Sequence, residues 1–133
     1  MEKQLAMSGI QAQRFDAIKH EKGYIGCSKS HLECLKNAIG NVLIIEDDLV
    51  FTMDKDTLHN KIQSFLDTEK QWDVLILSGV VIKSKFVRRG ISRALNVQTT
   101  TCYLVNYKYI PTLIENYENS IKVLERGGAV SIY

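Results

Sequence analysis

Asn41-Val42-Leu43-Ile44-Ile45-Glu46-Asp47-Asp48-Leu49-Val50 is an apolar run that ends in three consecutive carboxylates. Val42, Leu43, Ile44 and Ile45 fit a strand buried on both faces, which sets the acids at its carboxyl end. Open α/β sheets bind their ligands at that end of their strands. One stretch therefore bears on both the fold and the site.

Adjacent carboxylates repel one another. Keeping Glu46, Asp47 and Asp48 ionised beside a dry strand is costly unless a cation or a set of hydrogen-bond donors offsets it. Strand alternation puts Glu46 and Asp48 on one side and Asp47 on the other, offering two carboxylates to one hard divalent ion. The competing reading is a solvated acidic turn.

Working outward, 133 residues with 45% hydrophobic and 24% charged content imply one globular domain, 1–133, with a real core. A net charge of +2 is too small to point to nucleic acid or a membrane surface. The apolar runs are far shorter than a bilayer span. The opening Met1-Glu2-Lys3-Gln4-Leu5 has no signal-peptide core, so the expected location is cytoplasmic. Cys27, Cys34 and Cys102 contain no C-x-x-C pair and are read as reduced thiols.

Upstream, residues 2–13 place Leu5, Ala6 and Ile10 on one helical face, and residues 14–18 can form a short strand. Gly23 and Gly26 mark a loop. Ser28 or Ser30 then caps a helix through Ala38, with Leu32, Leu35 and Ile39 on its inner face. Downstream, residues 54–70 read as a helix opened by Asp54 or Asp56, with Leu58, Ile62, Phe65 and Leu66 inward. Residues 72–77 read as a second buried strand that stops at Ser78-Gly79. Lys83, Lys85, Arg88, Arg89 and Arg93 belong to a basic loop with Gly90 as its flexible point. Residues 97–105 alternate as a last strand, and Pro111 sits in the first turn of a closing helix. Strands separated by helices imply α/β with a mostly parallel sheet.

Four blocks now support a resemblance. Gly26-Cys27-Ser28-Lys29-Ser30-His31, the strand and acids of 42–48, Trp72-Asp73-Val74-Leu75-Ile76-Leu77-Ser78-Gly79, and Cys102-Tyr103-Leu104-Val105 together resemble glycosyltransferase family 25. That family includes lipopolysaccharide sugar transferases and collagen galactosyltransferases. The resemblance implies a GT-A-like, Rossmann-type domain with a mostly parallel sheet flanked by helices. It implies a UDP-sugar donor and a glycan or protein acceptor. It also implies a manganese or magnesium ion held by a D-x-D-like acidic cluster, with Asp48 the principal ligand, Glu46 reaching the metal or the ribose, and Asp47 supporting. Gly26, Ser30, His31, Asp16, Glu46 and Gly79 are the implied donor-side residues. The reaction implied is inverting, with a carboxylate deprotonating the acceptor hydroxyl; the residues assign no base to that step.

The family's usual first strand and its C-terminal segment have no counterpart here. The chain is thus expected to be a piece of a longer transferase or a reduced one, and a strand edge left open invites a homodimer. A catalytically degenerate binding module is the first alternative. A response-regulator receiver domain is the second, although Ser78 stands where a receiver has its phosphoacceptor aspartate. Cys27 and Cys34 are read as small buried hydrophobes, His59 as a solvated helix residue and Trp72 as a core residue.

Overall fold

The computed structural model describes residues 1–129. Residues 130–133, which include Ser131, Ile132 and Tyr133, lie outside the described residues. In chain order the elements are α1 (Glu2–Ser8), α2 (Gly23–Lys36), β1 (Val42–Ile45), α3 (Lys55–Thr68), β2 (Val74–Arg88), β3 (Ile91–Val105) and α4 (Ile110–Glu125).

The sheet has three strands in the order β1-β3-β2, and β3 pairs antiparallel with both neighbours. This overturns the expected Rossmann-type, mostly parallel sheet. β1 and β2 run in the same direction but are not neighbours. β3 enters between them from a hairpin rather than from a helical crossover. The turn is Arg89-Gly90: Arg88 pairs with Ile91, and Gly90 takes a φ of 80° that costs a glycine nothing. The basic stretch expected as a loop is therefore the far half of a two-stranded ribbon.

Register is regular where the sheet is buried. Val42, Leu43, Ile44 and Ile45 face Val105, Leu104, Tyr103 and Cys102, while Val74, Leu75 and Ile76 face Val105, Leu104 and Tyr103 from the other side. Beyond Ile76 the register shifts repeatedly. Such bulges bend a strand. The ribbon's end accordingly returns to α3, where Arg88 pairs with Glu69 at 2.8 Å and with Thr68.

The helices have local causes. Asp54 Oδ1 accepts the Thr57 N–H at 2.7 Å and caps α3 as expected. Pro111 stands in the first turn of α4, where its missing N–H removes no bond. α1 stops at Gly9, which adopts a φ of 68°, earlier than the expected Gln13. α2 starts earlier than expected and contains both Gly23 and Gly26. A Cβ on Gly26 would lie 2.6 Å from the Ile18 carbonyl oxygen, so glycine here is a close-approach residue inside a helix. The segment that crosses it, expected as a strand over 14–18, is irregular and is tied down by its Ile18 N–H donating to Ser30 Oγ at 2.8 Å.

The core lies where α2 and α4 cover one sheet face. Leu32, Leu35, Ile44, Tyr103, Val105, Leu113, Tyr117 and Ile121 are buried together there. Burying side chains of this size contributes about 1.5–3 kcal/mol each before ordering costs. On the opposite face Leu43 meets Ile62 of α3 across a groove shared with Ile10 and His59. His59 is not simply solvated, since its Nε2 lies 2.8 Å from the Ser8 carbonyl and joins α3 to α1. Trp72 packs edge-to-face on Phe65. Among the described residues no helix is long and apolar enough to cross a membrane.

A Cβ on Gly79 would lie 2.4 Å from the Thr99 carbonyl oxygen, whereas one on Gly23 would meet nothing within 4 Å. Gly79→Ala is therefore expected to cost about 1–3 kcal/mol. Gly23→Ala is expected to be neutral or to gain up to about 1 kcal/mol. Urea denaturation midpoints measure both, and equal effects at the two positions would contradict the ribbon register.

Candidate functional site

β1 ends at Ile45, but the ladder gives one more bond, from the Glu46 N–H to the Thr101 carbonyl at 2.8 Å. The chain then turns: the Leu49 N–H donates to the Glu46 carbonyl at 3.3 Å. The three acids thus occupy a turn rather than an extended strand. The expected alternation, with Glu46 and Asp48 sharing a side, does not apply to them.

Only Glu46 turns inward. Its Oε1 lies 3.2 Å from His31 Nε2 and 3.9 Å from Cys27 Sγ. Cys27 and His31 are four residues apart on α2, and that spacing stacks them on one helical face. The helix is held by Ser30 as well, whose hydroxyl donates to the Gly26 carbonyl at 2.8 Å while accepting from Ile18. Gly26 and Ser30, expected beside the donor, thus spend their geometry on seating α2 against the 14–20 segment.

His31 is 8% exposed and anchors a chain of polar groups through the core. Its Nδ1 lies 2.6 Å from Tyr103 Oη and 3.3 Å from Tyr117 Oη, and the two phenols are 3.1 Å apart. Burial pushes the imidazole down to about 4, so the ring is neutral at physiological pH. The tautomer that serves the shorter contacts has Nε2–H donating to Glu46 and Nδ1 accepting from Tyr103, with Tyr117 donating to Tyr103. The Tyr103 ring also stacks on the imidazole, with centroids 5.7 Å apart.

Electrostatics at the turn run one way. Burial, then Asp48, then Asp47 raise the Glu46 carboxyl above the usual carboxylate range. Burial, then Glu46, and finally Asp48 raise the Cys27 thiol. Asp47 and Asp48 themselves are exposed.

The donor set expected for manganese is split by this geometry. Among the described residues, the ligand atoms that gather in a group of three or more belong to Cys27, His31 and Glu46, all within 4.8 Å of one another. Asp47 and Asp48 stand outside that group. Both are exposed and offer oxygen ligands alone. Glu46 is engaged with His31 and is not a free third ligand.

Of the other expected donor-side residues, Asp16 is exposed and pairs with Arg14 at 3.3 Å. Gly79 sits in β2, where it admits the Thr99 backbone. Two grooves of about 430 and 420 Å³ lie elsewhere, the first lined by residues that include Lys29, Leu32 and Glu118, the second by Leu43 and His59; no acid of the turn lines either. Tyr103 and Tyr117 were not expected at the site, and neither was Cys27. The available signal was the helical spacing of Cys27 and His31 together with a tyrosine on the buried face of the last strand. Comparison with protein-family models, with curated proteins and with solved structures found no match.

His31 makes stability depend on pH. In the unfolded chain the ring titrates near pH 6.5. Between that value and about 4 the unfolded state holds a proton that the folded state lacks. This contribution is therefore complete above about pH 6.5 and is lost as pH falls towards about 4. Glu46 acts in the opposite sense, because the folded state takes its proton first on acidification. In urea denaturation compared near neutral pH and at about pH 5, His31→Gln should flatten the wild-type decline and Glu46→Gln should steepen it. A His31→Gln slope parallel to wild type would contradict a buried neutral ring.

Proposed function

We propose that this chain is a metal-dependent hexosyltransferase domain that moves galactose or another hexose from a UDP-sugar to a hydroxyl of a glycan or protein acceptor. The observation that carries this reading is the contact between His31 and Glu46. The two blocks with the strongest resemblance to family 25, Gly26 to His31 and Val42 to Asp48, are separate in sequence, yet they meet at 3.2 Å.

In this reading Asp48, with Asp47 beside it, would hold a manganese or magnesium ion, and Glu46 would fix the turn that presents them. Such an ion would supply Lewis-acid stabilisation of the charge that develops on departing UDP. The chain's own residues supply the positioning. Glu46 is drawn inward by His31, so its neighbours are held outward. His31 is in turn fixed by Tyr103, and α2 is seated by Gly26 and Ser30. The reading includes a cytoplasmic location, where the free thiols Cys27, Cys34 and Cys102 stay reduced. It also includes a homodimer formed through an open strand edge of the sheet.

A second reading, a binding module without turnover, draws support from the absence of turn acids from both grooves described above. The two readings share ligand binding and differ in product.

UDP and Mn²⁺ together are expected to raise the melting temperature more than either alone, since a ligand that binds only the folded state stabilises it by about 1–3 kcal/mol at tens of Kd or above. Asp48→Ala should abolish the joint shift, and Asp67→Ala, on the exposed face of α3, should retain it. Loss in both variants, or no shift at millimolar ligand, would sink the reading. Released UDP separates the transferase from the binding module.

A further inference from the structure

We infer that Cys27, His31 and Glu46 form a second cation site, selective for a borderline-soft divalent ion of the zinc class and distinct from the hard-ion site of the acidic turn. It goes beyond the transferase reading and needs no nucleotide.

The geometry fits before any ion enters. Tetrahedral zinc with bonds of about 2.0–2.3 Å requires its nitrogen and oxygen ligands to lie roughly 3.4 Å apart and its sulfur and oxygen ligands roughly 3.6 Å apart. The observed separations are 3.2 Å for His31 Nε2 to Glu46 Oε1 and 3.9 Å for Cys27 Sγ to the same oxygen. These two edges need shifts of a few tenths of an ångström; the third, from Cys27 to His31, lies within 4.8 Å and closes to roughly 3.6 Å by rotation of the exposed Cys27 side chain. A sulfur, nitrogen and oxygen set favours zinc or cobalt over manganese or magnesium, which prefer oxygen alone. Two ligands sit one helical turn apart on α2 and the third is pinned by the strand's last ladder bond, so the scaffold is rigid. Cys27 is exposed, which leaves an entry path and a fourth position open to water.

Binding balances as follows. The Cys27 thiol releases its proton to solvent and binds as thiolate. The imidazole moves its proton from Nε2 to Nδ1, freeing Nε2 for the metal. Nδ1–H then donates to Tyr103 Oη across the existing 2.6 Å contact, and the Tyr103 hydroxyl proton turns to Tyr117 Oη 3.1 Å away. That phenol becomes the outer partner that zinc-bound histidines keep on their second nitrogen.

Titrating the full chain with Co²⁺ tests this. A thiolate-to-cobalt charge-transfer band is expected to rise to one equivalent and to be bleached by Zn²⁺ but not by Mn²⁺. Cys27→Ser should remove the band and weaken binding by at least about tenfold, whereas Cys34→Ser should leave it unchanged. Cys27 is exposed, so its variant folds and the test holds even where a His31 variant does not. Absence of the band, its survival in Cys27→Ser, or its loss in Cys34→Ser would overturn the assignment. The band without the joint UDP and Mn²⁺ shift would retain this site and reject the transferase reading; the shift without the band would do the reverse.

Discussion

A neutral imidazole buried among two phenols and a carboxylate is the constraint on which the rest of the molecule turns. His31 belongs to α2, Tyr103 to the central strand, Tyr117 to α4 and Glu46 to the end of β1. Four elements are thereby joined through one ring. Hydrogen bonds of this kind each contribute about 0.5–1.5 kcal/mol when made, and an orphaned buried partner costs about 1–3 kcal/mol. Among the described residues no buried side-chain nitrogen or oxygen lacks a partner. The asymmetry favours a single arrangement, because any slip of α2 along the sheet would leave several of these groups dry and unpaired. The apolar cluster around Tyr103 supplies most of the driving force, but it would tolerate such slips. The polar chain does not.

What could be read from the sequence divides along physical lines. Signals written locally came through: the Asp54 cap of α3, the proline at the start of α4, and the apolar run of β1. Strand direction and neighbourhood did not, since period-2 alternation says which face is buried and nothing about which strand lies alongside. β2 and β3 are long because they pair with each other out to the hairpin, and in their exposed distal halves Val80, Ile82, Phe86 and Leu95 obey no burial pattern. A stretch that mixes exposed β-branched residues with Lys83, Lys85 and Arg93 therefore reads as loop, although Arg89-Gly90 between two such runs is a hairpin signal. Gly23 and Gly26 misled in the other direction. Glycine commonly punctuates, yet at position 26 it serves the approach of the Ile18 backbone.

The site shows the same division. The acidic triplet was conspicuous because like charges in sequence must be explained wherever they fold. Its internal geometry was not, because the strand ends one residue before the first acid and the extended alternation lapses. His31 was found through its sequence block. Its partners were missed: Tyr103 and Tyr117 look like ordinary core aromatics, and Cys27 looks like a small hydrophobe. A buried tyrosine must place its hydroxyl somewhere. Asking where the hydroxyls of two core tyrosines end would have led to the histidine between them.

The antiparallel sheet alters the architecture without dissolving the site's logic. A ligand-binding end of a strand needs a place where the ladder stops, polar backbone emerges and a helix stands close enough to supply side chains. In a parallel sheet the crossover helix provides this for each strand in turn. Here β1 is short and its ladder ends at Thr101, and α2 comes from upstream to lie beside that end. The arrangement also sorts donors by chemistry. Glu46 faces the helix, where nitrogen and sulfur wait, and Asp47 and Asp48 face water, where only oxygen is on offer. Turning the first carboxylate inward against a neutral histidine does not remove the repulsion, since burial, Asp48 and Asp47 all still raise Glu46, but it creates two environments from one acidic turn.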